Sequence, residues 1–247
     1  MTPGRGWVLV TGATRGIGEA TAKLLADNGF DLILWARTAG DLAVTAKTVR
    51  AAGAEVRTAA VDVGDAAAVE AASRDTLAEI NRLAGVVLNA GHGVWTPLKR
   101  LGLAEWHSTV DTNLNGAFHV LRAAIPRLGY GGLVVGVLSD SVLYPFPDRA
   151  AYSAAKSGMS ALLDVARREL RPVGVRICSL LPSRVDTHFE GAHEVAGPGS
   201  RPGALAAAEV AEVVCGLFDL PQGIEVRHIQ LAAMASSYGP FPEVVER

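Results

Sequence analysis

Short runs of consecutive apolar residues alternate along the chain with longer amphipathic stretches. A continuous run of four to eight apolar residues predicts a strand buried on both faces, and a run with a 3.6-residue period predicts a helix. On that basis strands are expected at Trp7–Val10, Asp31–Trp35, Val56–Val61, Gly85–Leu88, Leu133–Leu138, Val175–Leu180 and Ile224–Leu231. Helices are expected over Gly16–Asn28, Asp41–Ala52, Asp65–Ile80, Leu103–Leu128, Ala150–Leu170 and Ala206–Leu217. Gly29 and Gly53 stop the first two, and Arg171-Pro172 stops the helix that starts at Ala150. Strands alternating with helices make an α/β doubly wound Rossmann-type fold: a seven-stranded parallel sheet in the order 3-2-1-4-5-6-7, helices on both faces. No repeat or linker divides the chain, so residues 1–247 are expected to form a single dinucleotide-binding and catalytic domain. Residues 183–203, rich in Pro, Gly, Ser and His, are its one long irregular stretch and the expected substrate loop.

The composition narrows the class. The chain is 49% hydrophobic, with 23 basic and 25 acidic residues, which excludes a disordered polyelectrolyte and argues against nucleic-acid binding. There is no signal-peptide layout and no apolar run long enough for a membrane span, so a soluble cytoplasmic protein is expected. Cys178 and Cys215 have no metal or redox spacing and read as buried free thiols. The six histidines form no metal-binding motif, so no metal is expected.

Chemistry enters between the first strand and the first helix. Thr11-Gly12-Ala13-Thr14-Arg15-Gly16-Ile17-Gly18 is a glycine-rich turn that opens a helix, the arrangement that cradles a pyrophosphate. A structural turn would carry similar letters, but a phosphate-binding lysine motif is absent. The second strand ends in Trp35-Ala36-Arg37-Thr38, with no carboxylate to accept the ribose hydroxyls of NAD. Arg37 and Arg15 would instead fork onto a 2′-phosphate, which selects NADP(H), unless both are merely solvated. Tyr152 and Lys156 lie at i and i+4 on one helix face. A phenol beside an ammonium acquires a lowered pKa and exchanges a proton with a substrate oxygen.

The spacing Thr-Gly-x-x-x-Gly-Ile-Gly, followed by Asn89-Ala90-Gly91 and Tyr152-x-x-x-Lys156, resembles the short-chain dehydrogenase/reductase family. The resemblance covers nearly the whole chain and is densest through Pro182. It implies an oxidoreductase that moves hydride between NADP(H) and a carbonyl or secondary alcohol, in the reducing direction. Tyr152 would be the acid or base, Lys156 would tune it and hold the nicotinamide ribose, and Ser139 would hold the substrate oxygen. Asn113 would anchor a relay water. Asp62 and Val63 would flank the adenine, although Asp62 also reads as a helix cap second to Asp65. Pro182, Val185 and Thr187 would meet the nicotinamide, with Ser183 standing where relatives have glycine. The family also implies a homodimer or homotetramer. The substrate end is expected to draw on His92, Trp95, Ser141, Tyr144, Phe146, His188 and Phe189, with Ser141 a fallback for Ser139. The rival reading is a catalytically silent NADP(H)-binding sensor.

Overall fold

The computed structural model describes residues 5–189 and 198–235. A seven-stranded sheet forms its centre, in the order β3-β2-β1-β4-β5-β6-β9. Its strands are β1 (Trp7–Thr11), β2 (Asp31–Ala36), β3 (Val56–Ala60), β4 (Leu83–Leu88), β5 (Leu133–Val137), β6 (Arg176–Pro182) and β9 (His228–Leu231). Every pairing is parallel. Two short strands, β7 (Val185–Asp186) and β8 (Leu205–Ala206), pair only with each other. The expected order therefore holds, with β9 in the seventh place.

Alternate residues of each strand feed opposite faces. Val8 and Val10 of β1, with Leu32 and Leu34 of β2, join a core that includes Leu25, Val49 and Val214. These come from α1 (Gly16–Asp27), α2 (Ala39–Ala51) and α7 (Ala207–Asp219). Leu9, Ile33 and Trp35 join the other core, with Val69, Val120 and Leu163. These come from α3 (Ala66–Leu77), α5 (Gly116–Ala124) and α6 (Ala150–Leu170). Trp35 is wholly buried and donates its indole N–H to Thr76 Oγ1 at 3.1 Å, so the largest side chain leaves no polar atom unpaired. Asp65 caps α3, accepting from the N–H groups of Ala67 and Ala68.

Two expectations need correction. The helix expected from Leu103 to Leu128 is α4 (Leu103–Val110), a five-residue π turn at Asp111–Asn115, α5 and a 3-10 turn at Ile125–Arg127. The last strand begins at His228, not Ile224. Ile224 closes a turn onto Pro221, and Glu225 accepts from Ile177 N–H through its side chain. Cys178 and Cys215 are free and buried. Among the described residues no helix is long and apolar enough to cross a membrane. Of the expected loop 183–203, residues 190–197 lie outside the described residues.

Candidate active site

The carboxyl ends of β1 and β4 are tied together by one hydroxyl. Thr11 Oγ1 donates to Val87 O and accepts from the N–H groups of Asn89 (3.0 Å) and Ala90 (3.1 Å). Asn89 returns its side-chain amide to the carbonyls of Thr11 and Gly12. The glycine-rich loop turns on this base. Gly12 has φ +65°, a left-handed backbone that favours glycine. A Cβ on Gly18 would stand 2.2 Å from Gly12 O, so the start of α1 packs against the loop where no side chain fits. Arg15 precedes α1 with no side-chain cap, which leaves the helix's first N–H groups to a ligand.

Between these ends lies a cleft of about 1180 Å³. That exceeds the usual range for small-molecule pockets, about 300–1,000 Å³. Arg15, Arg37 and Asp41 line one end, and Ser139, Tyr152 and Lys156 line the other. Asp62 and Val63, Asn89 to Gly91, and Pro182, Val185 and Thr187 lie along its walls, as do Gly12, Thr14, Gly16 and Ile17. Asp62 does not cap α3; its carboxylate accepts from Gly64 N–H at 2.9 Å. Ser183 takes its place without a left-handed backbone and extends the β6–β9 ladder, donating its N–H to Leu231 O. The loop therefore has no conformational need for glycine there.

At the reactive end, Ser139 Oγ accepts from Ser141 N–H (3.1 Å) and donates to Asp140 Oδ1 (3.2 Å). Burial pushes the Tyr152 phenol up to about 12, against the neighbouring Ser139 side chain, which pulls it down. Asp140 adds to the rise and Arg149 opposes it. Lys156 is buried, donates to Val137 O at 2.8 Å, and is lowered to about 8 by desolvation. Its Nζ stands 5.8 Å from the centroid of the Tyr152 ring. The expected lowering of the tyrosine by the lysine does not operate in this structure: burial raises the phenol, and the charges that act on it are those of Asp140 and Arg149. Trp95 and Phe189 enclose the ring edge-on, with centroids at 5.3 and 5.7 Å.

Asn113 sits in the π turn and is fully buried, behind the cleft wall. Its amide donates to His92 O (2.7 Å) and Thr109 O (2.9 Å). A Cβ on Gly91 would meet Asn113 Oδ1 at 2.6 Å and Lys156 Nζ at 3.5 Å, so both side chains converge on the Asn-Ala-Gly turn. His92, Trp95, His188 and Phe189 line the cleft. Gly18, Ser141, Tyr144 and Phe146 do not. Gly18 is covered by Gly12, and Ser141 is fully buried in the turn after Ser139. Tyr144 faces solvent, and Phe146 lies beneath the Arg149 guanidinium. Sequence reasoning assigned no role to Asp41, Asp140, Arg149 or Arg201, which all line the cleft. The spacing of Arg149, three residues before Tyr152, was the available signal.

The comparisons bear on the family and the fold. The family model for short chain dehydrogenases matches residues 6–195. Sulfoacetaldehyde reductase 2 of Chromohalobacter salexigens is 30% identical over 246 residues, covering 95% of this chain and 96% of that protein. An alcohol dehydrogenase from the archaeon Thermococcus sibiricus, complexed with 5-hydroxy-NADP, is 33% identical. It superposes with a TM-score of 0.88 and covers 95% of this chain and 99% of its own. Carveol dehydrogenase from Mycobacterium avium, in complex with NAD, superposes with a TM-score of 0.81 at 26% identity, covering 94% and 97%.

Proposed function

The chain belongs to the short-chain dehydrogenase family, and from that premise we propose that it reduces a carbonyl compound to an alcohol with NADPH. One observation carries the reading: a single cleft holds Arg15 and Arg37 at one end and Ser139, Tyr152 and Lys156 at the other. The chain fits a dinucleotide. Its glycine-rich cradle has no room for a side chain at Gly18, its first helix opens without a side-chain cap, and its cleft is long enough to carry both residue sets. Arg15 and Arg37 favour the 2′-phosphate of NADP, since a guanidinium forks onto a phosphate that a carboxylate at the end of β2 would repel.

When bound, the dinucleotide supplies the hydride that reaches the carbonyl carbon. Ser139 Oγ holds the carbonyl oxygen, and Tyr152 gives that oxygen its phenolic proton. The phenol is protonated at neutral pH, as the donor role requires. Lys156, still mostly charged at neutral pH, orients the ribose and stabilises the phenolate that remains. Asn113 holds the π turn behind Lys156 through its bonds to His92 and Thr109.

Fluorescence titration with NADPH and NADH tests the cofactor, with NADPH expected to bind at least tenfold tighter. Equal or reversed binding would refute the role of Arg15 and Arg37. NADPH consumption with aldehydes and ketones tests the reaction. Tyr152→Phe should lose about 10²–10⁴ in kcat, the usual worth of a general acid, while its NADPH affinity stays within threefold. Full turnover in that variant would overturn the proton-donor role.

A further inference from the structure

The substrate end of the cleft holds a cation packed on aromatic faces. Arg149 lines the cleft immediately before α6. Its guanidinium lies 4.5 Å from the centroid of the Trp95 ring and 4.9 Å from that of Phe146. Aromatic faces hold a guanidinium by its plane and leave its N–H edges available for a planar oxyanion. Among the described residues, no hydrogen-bond acceptor or paired acid takes those edges.

The neighbouring charges do not supply the missing anion. Asp140, on the same wall, senses the charge of Arg149 but makes no ion pair with it. Burial pushes the Asp140 carboxyl up, away from its charged form, and the Ser139 hydroxyl donates to it. The other cations at this end are committed or solvated. Lys156 donates to Val137 O, Arg201 donates to Val185 O, and Arg184 and His188 are exposed.

Position supplies the rest. Trp95, on which the guanidinium rests, meets the Tyr152 ring edge-on at 5.3 Å. The cation therefore stands one ring away from the proton donor. Phe189, stacked on Trp95 at 6.1 Å, narrows the same space. A substrate whose carbonyl oxygen sits at Ser139 and Tyr152 reaches Arg149 within a few bonds. We propose that Arg149 receives an anionic group of the substrate, so that the preferred substrates are short aldehydes or ketones bearing a carboxylate or sulfonate. This rests on the carbonyl-reductase reading of the same site.

Two readouts keep the inference separable from that reading. The first needs no turnover: calorimetric titration of the protein with its dinucleotide, using 4-hydroxybutanoate, butane-1-sulfonate and 1-butanol as probes. At least one acid should bind tenfold or more tighter than the alcohol, and which one does distinguishes carboxylate from sulfonate. Arg149→Met should remove that preference. Arg149→Lys should keep part of it, because an ammonium retains the charge and loses the fork. The second readout is the ratio of kcat/KM for 4-oxobutanoate over its methyl ester, expected to fall at least tenfold in Arg149→Met, through KM. Dinucleotide affinity measured in each variant reports that the fold is intact. Acid binding that depends on Arg149 without turnover of any probe would sustain the anion site and refute the reductase. Turnover with no acid preference in the wild type, or acid and neutral probes weakening together in both variants, would overturn the inference.

Discussion

Replacing Thr11 with valine removes one oxygen and keeps the side chain's shape, yet that oxygen serves three hydrogen bonds at the base of the cleft. The N–H groups of Asn89 and Ala90 lose their acceptor in a half-buried turn. A buried donor left unsatisfied costs about 1–3 kcal/mol. Some relaxation toward water is open to this turn, so we expect Thr11→Val to destabilise the protein by about 2–4 kcal/mol. Against a total stability of about 5–15 kcal/mol, that is a large fraction. For a chain of this size it corresponds to a fall in Tm of about 4–16 °C. Urea and thermal unfolding followed by circular dichroism would measure it. The same variant should bind NADPH more weakly, because the displaced turn carries Asn89, Ala90 and Gly91 along the cleft wall. Thr11→Ser is the control: it keeps the oxygen, loses a buried methyl, and should cost about 1 kcal/mol. A Thr11→Val protein within about 0.5 kcal/mol of wild type, the range of ordinary surface changes, would refute this account. So would a serine variant as unstable as the valine one.

Two further outcomes follow from the buried ionisable groups. Lys156 is held at about 8 against an ordinary 10.5, so the folded state opposes its charge. That penalty is complete below pH 8 and disappears as pH rises toward 10.5. Wild type should therefore gain up to about 3 kcal/mol relative to Lys156→Met across that window. Urea midpoints at pH 7.5 and pH 10 would read it, and parallel behaviour of the two proteins would contradict it. Tyr152 acts in the opposite sense only above pH 10, where its raised value makes the folded state resist ionisation. The thiols of Cys178 and Cys215 are both pushed up to about 12, with burial as the main cause. Neither should react with a thiol-specific reagent at pH 8 until the protein is unfolded in urea, and prompt labelling of the folded protein would show the burial to be wrong.

The inner strands of the sheet were legible because they are nearly continuous apolar runs, whereas β3 and β9 at its edges are half-exposed and mixed. Helix α6 was read at its observed bounds, since Arg171-Pro172 cannot continue a helix. The cap at Asp65 was legible for a similarly local reason. What escaped the sequence depended on partners distant along the chain. The π turn at Asp111–Asn115 presents Asn113 to the carbonyl of His92, 21 residues away. The late start of β9 depends on Glu225 bonding to Ile177, 48 residues away. At the site, the residues expected from local motifs mostly share one cleft. The substrate-end residues divided, because Trp95 and Phe189 approach Tyr152 from distant segments while Tyr144 turns to solvent. The high value of the tyrosine was likewise invisible, being set by the packing around its ring rather than by the lysine four residues on.

The π turn has a consequence for how the chain tolerates shortening. A π turn contains one residue more than the α-helical path it replaces. Deleting a single residue between Asp111 and Asn115 would give α4 and α5 one unbroken α-helix, with more regular backbone bonds. The two halves would keep their relative orientation, because the surplus residue is taken up inside the widened turn. Asn113 would nevertheless lose the widened turn from which it donates to the carbonyls of His92 and Thr109. Most deletions in a helix are harmful because they break its register. Here the deletion would mend the local register and dismantle the site, so the surplus residue is the part of the helix that belongs to the chemistry.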